Sequence, residues 1–95
     1  MSKTLLYSTH CELCVDFIPI VSKLRNDIRI IAHPSRDSLA FMASLDVYIT
    51  AYPVLVENNI YYYGKTKILK QLNISKTRYK LERILRWLTL FLKRR

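Results

Sequence analysis

Apolar and polar positions along the chain change period several times, and each change marks an element. Thr4-Leu5-Leu6-Tyr7-Ser8-Thr9 places its apolar residues consecutively instead of alternately, as in a strand buried on both faces. From about residue 12 to 25 the period becomes helical, with Val15, Ile18, Val21 or Ser22, and Leu24 or Arg25 on one side and Pro19 expected to kink the run. Ile28-Arg29-Ile30-Ile31-Ala32 reads as a second strand. Pro34-Ser35 opens a second helix, with Ser35 as N-cap and Leu39, Met42, Ala43 and Leu45 as the expected inner face. Pro53-Val54-Leu55-Val56 and Ile60-Tyr61-Tyr62-Tyr63 are strands joined by a tight turn at Glu57-Asn58-Asn59, and Gly64 punctuates the second. A short helix is expected from about Thr66 to Leu72 and a longer one from about Ser75 onward.

The resulting order is βαβαββα plus one further helix. A β-α-β unit pairs its strands in parallel through a right-handed crossover, and a ββ unit forms a hairpin. The expected fold class is therefore α/β, a four-stranded mixed sheet covered by helices.

Composition narrows this only a little. With 95 residues, 51% hydrophobic and 24% charged, the chain is large enough for one globular core and too apolar for disorder. One glycine and three prolines exclude fibrous and low-complexity readings. The opening apolar stretch is too short for a signal peptide, and none approaches the roughly 20 residues of a bilayer span, so a cytoplasmic location is expected. Asn73-Ile74-Ser75 matches a glycosylation sequon, which that location would leave unused.

Charge divides the chain more sharply. Residues 1–64 carry five basic and six acidic side chains, whereas residues 65–95 carry eleven basic side chains against Glu82 alone. The net charge of +9 thus belongs to the last third. This divides the chain into a domain over 1–74 and a basic amphipathic helix over 75–95, packed on it or appended to it. On that helix Leu81, Ile84, Leu85, Leu88 and Leu92 share a stripe, with Lys76, Arg78, Lys80, Arg83 and Arg86 filling much of the remainder. The plain expectation is that the stripe docks on the sheet. Trp87, Leu90 and Phe91 widen it beyond one docked face, which leaves open contact with a membrane surface, a partner or a second copy, and, on charge alone, nucleic acid.

The candidate chemistry is Cys11-Glu12-Leu13-Cys14, the only two cysteines, at a strand-to-helix junction. Backbone N–H groups and the dipole at a helix N-terminus favour a thiolate. A C-x-x-C in an intracellular strand–helix–strand setting is the signature of a redox dithiol. Cys11, first and nearest solvent, is the expected nucleophile, and Cys14 the more buried resolving thiol. His10 would support a thiolate next to it and Glu12 would oppose one, so a reducing dithiol is expected. His33 is expected to be structural. Two cysteines supply half a tetrahedral zinc shell, and His10 and His33 lack finger spacing, so a metal would need a site shared across a dimer.

Three features in order are similar to the thioredoxin superfamily, more closely a glutaredoxin-like small redoxin. They are strand–Cys11-x-x-Cys14–helix, then Ala51-Tyr52-Pro53-Val54, which resembles the cis-proline motif opening the third strand, then the glycine turn Tyr63-Gly64. They span residues 4 to about 72. The resemblance implies a thioredoxin-like fold and a thiol–disulfide oxidoreductase whose cofactor-free redox centre is a Cys11–Cys14 disulfide. It implies a cis bond at Pro53 facing the dithiol, with His10, Tyr7, Tyr52, Pro53 and Gly64 around the substrate groove. Tyr52 would offer its backbone to an extended segment and keep metal off the thiols. Partners would be a protein disulfide and a reductase or glutathione as electron donor. The chain departs from the pattern at several places. His10 replaces a tryptophan, Leu5 replaces a buried acid, and Ser8 and Lys65-Thr66-Lys67 stand where glutathione users carry a basic residue and an acid, which counts against a glutathione site. Pro19, five residues after Cys14, keeps to the thioredoxin pattern. The competing reading is a non-catalytic adaptor of the same fold that binds a partner, membrane surface or nucleic acid through its basic helix.

Overall fold

Consecutive apolar residues at Leu5 and Leu6 demand cover on both sides of their strand, and that demand sets the plan of the molecule. The computed structural model describes residues 3–11 and 14–93. Its elements are β1 (Thr4–Ser8), α1 (Cys14–Leu24), β2 (Arg29–His33), α2 (Arg36–Leu45), β3 (Val54–Glu57), β4 (Ile60–Tyr63), α3 (Lys65–Gln71) and α4 (Lys76–Lys93). The four strands form one mixed sheet in the order β2-β1-β3-β4. β1 runs parallel to β2, with Ser8 opposite His33, and antiparallel to β3, with Leu6 opposite Val54. β3 and β4 form the expected hairpin. Asn58 and Asn59 turn it with φ of 52° and 62°, the paired left-handed conformation of a two-residue turn that asparagine tolerates.

Because side chains alternate across a strand, Leu5 and Leu55 point to one face and Leu6, Val54 and Val56 to the other. The first face buries Phe17, Ile20 and Val21 of α1, Ile68 and Leu69 of α3, and Tyr79 of α4. The second is covered by α2 through Met42, with Phe41 and Leu45 partly buried beside it. The α/β class and the four-stranded mixed sheet are as the hydrophobic pattern requires.

Two helix faces differ from expectation. α1 buries Cys14, Phe17, Ile20 and Val21, while Val15 is 63% exposed. The stripe sits one position earlier because a free cysteine packs as a small hydrophobe and Phe17 is its largest member. α1 also runs unbroken through Pro19, which lies on the exposed side. Residues 12 and 13, at which the expected helix starts and from which Glu12 was expected to act, lie outside the described residues. α2 buries Ser38 and leaves Leu39 and Ala43 exposed. Ser38 is admitted to the interior because its hydrogen bonds are met there. It closes a capping box with Ser35, giving N–H donations of 3.0 Å in each direction, and its hydroxyl stands 2.9 Å from His33 Nδ1.

α3 begins at Lys65, one residue earlier than expected, with Gly64 before it at φ +89° and ψ 157°. That conformation is essentially reserved for glycine, although no atom would meet an added Cβ within 4 Å. Backbone, not crowding, requires the glycine.

α4 corrects the expectation that its stripe docks on the sheet. Ser75 caps it, its Oγ accepting the Arg78 N–H at 3.1 Å. Tyr79, Glu82 and Arg86 recur at helical spacing on the side away from the stripe, and these make the attachment. The Tyr79 ring packs on Phe17 at 5.8 Å between centroids, Glu82 pairs with Lys23 at 2.9 Å, and Arg86 with Asp16 at 3.3 Å. Among the described residues of α4 only Tyr79 is buried. No described helix is long and apolar enough to cross a membrane.

Candidate active site

Strand direction brings four chain segments to one end of the sheet. β1 and β2 both finish there, β3 starts there and β4 ends there. The segments delivered are therefore the dithiol after β1, His33-Pro34 after β2, Tyr52-Pro53 before β3, and Gly64-Lys65 after β4.

The turn after β1 is held by short backbone bonds. Thr9 N–H donates to the His33 carbonyl, Cys11 N–H to that of Ser8, and Cys14 N–H to that of Cys11, each at 3.1 Å. Both cysteines are free thiols, with the Cys14 Sγ donating to the Cys11 Sγ at 2.6 Å. Cys14 opens α1 and is 3% exposed, whereas Cys11 is half-buried. Burial, then the bond to Cys11, pushes the Cys14 thiol up from 9.0 to about 12. A backbone bond from Ser8 and the charge of Lys65 act weakly in the other direction.

His10 is exposed, and it is its backbone N–H that bonds the Ser8 Oγ at 3.2 Å. The Tyr52–Pro53 peptide bond is cis, as is His33–Pro34. Pro53 is buried, and its carbonyl accepts the Gly64 N–H at 3.2 Å, which ties the start of β3 to the glycine turn. The Tyr52 ring stacks on His33 at 5.4 Å and 12°, and its hydroxyl donates to the Ile49 carbonyl at 2.6 Å. Burial, with the neighbouring Tyr48 second, raises the Tyr52 phenol above its usual range. Tyr7 is half-buried in register with Ala32.

Two residues at this end were not among the expected site. His33, expected to be structural, joins the Ser38 hydroxyl to the stacked Tyr52 ring, and Tyr48 meets it edge-on at 6.4 Å. The signal available for it was its place at the end of a strand parallel to β1. Lys65 is a cation whose charge acts on Cys14, and its Nζ also lies 5.9 Å from the Tyr79 ring centroid. It follows directly on the glycine turn, at one of the positions where the chain departs from the glutathione-user pattern.

Among the described residues no three His, Cys, Asp or Glu side chains gather where they could hold a metal ion. The chemistry on offer is that of two adjacent thiols, one accessible and one buried, at a helix N-terminus. Compared with protein-family models, with curated proteins and with solved structures, the chain matches none.

Proposed function

We propose that the chain is a thiol–disulfide oxidoreductase built on a thioredoxin-like, glutaredoxin-type fold, with Cys11 as nucleophile and Cys14 as resolving thiol. The observation that carries this reading is the pair of adjacent free cysteines with unequal access to solvent, Cys11 half-buried and Cys14 buried. Pro53, buried at the same sheet end with its carbonyl tied to the Gly64 N–H, supports it, because an extended substrate segment could lie along that strand start.

The reaction is two successive exchanges. The Cys11 thiolate attacks one sulfur of a partner disulfide, forming a Cys11–partner bond and releasing the other partner sulfur as a thiolate. That thiolate takes up a proton. Cys14 then loses its proton and attacks the Cys11 sulfur, closing Cys11–Cys14 and expelling the second partner thiol. Two electrons and two protons pass to the partner. A reductase or glutathione returns them, and Ser8 and Lys65-Thr66-Lys67 make the reductase the better fit.

The pH dependence follows from Cys14. Its folded-state thiol is raised from 9.0 to about 12, so folding holds that proton more tightly than the unfolded chain does. The stability this contributes is complete below about pH 9 and is lost as pH rises toward 12. In the native reduced protein at pH 7–8, iodoacetamide should therefore give one rapid adduct, at Cys11, read by mass spectrometry. The second should appear only on unfolding or as pH climbs well above 9. In a dithiothreitol redox titration both thiols should disappear together in one reversible two-electron step. Equal alkylation of both thiols, or no reversible disulfide, would reject the assignment.

A further inference from the structure

Helix α4 is attached by its polar side and turns its apolar side to solvent. Leu81, Ile84, Leu85, Trp87, Leu88 and Leu92 are each between 51% and 67% exposed. A continuous apolar stripe of this length is an interaction surface. Its borders identify the occupant by charge. Lys76, Lys80 and Arg83 run along one edge and Arg78 stands on the other, while the single acid, Glu82, faces the body and is paired with Lys23. A second copy would therefore set cations against cations with no acid to answer them. The basic surface also continues past the helix, where Lys65 and Lys70 of α3 share a groove with Lys76, Lys80 and Arg83. A positive field spread over two helices, beside a stripe containing tryptophan and leucines, suits a broad anionic plane better than a narrow protein cleft.

We infer that α4 is an interfacial helix that lies on anionic lipid bilayers. Trp87 and the leucines enter the boundary between headgroups and acyl chains, and the lysines and arginines reach outward to lipid phosphates and carboxylates. The helix lies on the surface and does not span it, since its 18 residues carry six basic side chains and one acid. The attachment is independent of the thiols, so a Cys11→Ser/Cys14→Ser double variant binds as the parent does.

The test is flotation of the full chain with phosphatidylcholine vesicles and with phosphatidylcholine–phosphatidylserine vesicles. Trp87, the only tryptophan, serves as the fluorescent reporter. The expected result is binding to the anionic vesicles, weakened by salt, with a blue shift of Trp87 emission. Lys80→Gln/Arg83→Gln should weaken binding by roughly 25-fold at unchanged helicity, about fivefold for each charge near the surface. Leu88→Glu should abolish it with the urea midpoint preserved. The inference is overturned by absence of binding to anionic vesicles at low salt, or by equal binding to neutral vesicles. It is equally overturned by a dimer that buries Trp87 and ignores vesicles, or by preference for polyglutamate over lipid.

Discussion

Cys11→Ser is expected to bring insulin-disulfide reduction down to the rate of a protein-free control, whichever electron donor is supplied. The first exchange needs a sulfur nucleophile open to a bulky partner. Cys14, at 3% exposure and with its proton held to about pH 12, cannot take over that role at neutral pH. Cys14→Ser should fail differently. It retains the accessible thiol, so each molecule can react once with a partner disulfide and then stalls. Steady turnover is lost in both variants, and only the second gives a stoichiometric first step. Full activity in Cys11→Ser would move the chemistry away from the dithiol altogether.

Phe17→Ala is expected to cost about 3–5 kcal/mol, the range for emptying a large aromatic site in a core. Phe17 is fully buried, and Leu5, Leu55, Ile68 and the Tyr79 ring belong to the same cluster. For a domain whose total stability is of order 5–15 kcal/mol, that loss leaves the protein close to unfolding. It should appear as a fall of the urea midpoint by roughly 2 M. Leu88→Ala, on the stripe of α4, is the matched control. At 54% exposure it should change stability by no more than about 0.5 kcal/mol. A loss of 2 kcal/mol or more there would mean that the stripe is core and that α4 is docked the other way round.

That contrast also marks what the amino-acid order can and cannot convey. Element order was legible because each segment carries a strong local signal: consecutive apolar residues at Leu5 and Leu6, the Asn58-Asn59 turn, and Ser35 ahead of a helical period. Faces were less legible. The inner side of α2 turns on Ser38, a polar residue made apolar in effect by three local hydrogen-bonding partners, and that of α1 on counting Cys14 as hydrophobic. The stripe of α4 was visible in the periodicity. What it faces was not, because a hydrophobic period records that a surface wants cover and says nothing of what supplies it. Tyr79, Glu82 and Arg86 form the opposing pattern, meaningful only once Phe17, Lys23 and Asp16 are known to lie beneath them.

The candidate site divides in the same way. Cys11 and Cys14 are neighbours in sequence and needed no fold to be found. Pro53 and Gly64 entered the expected site only through the resemblance, and the Gly64 N–H to Pro53 carbonyl bond is what joins them in the fold. His33 and Lys65 depend on strand pairing. Only the parallel register of β1 and β2 sets His33 opposite Ser8, and only the hairpin returns Lys65 to the end where Cys14 is buried.

If Cys11 attacks and Cys14 resolves, the two single variants must differ in what they trap. Reduced Cys14→Ser and Cys11→Ser proteins are incubated with a disulfide-bonded protein substrate, quenched in acid and resolved without reductant. A stable mixed disulfide through Cys11 in the first variant, and none in the second, is the predicted result. Trapping by Cys11→Ser, or by both variants equally, would contradict it.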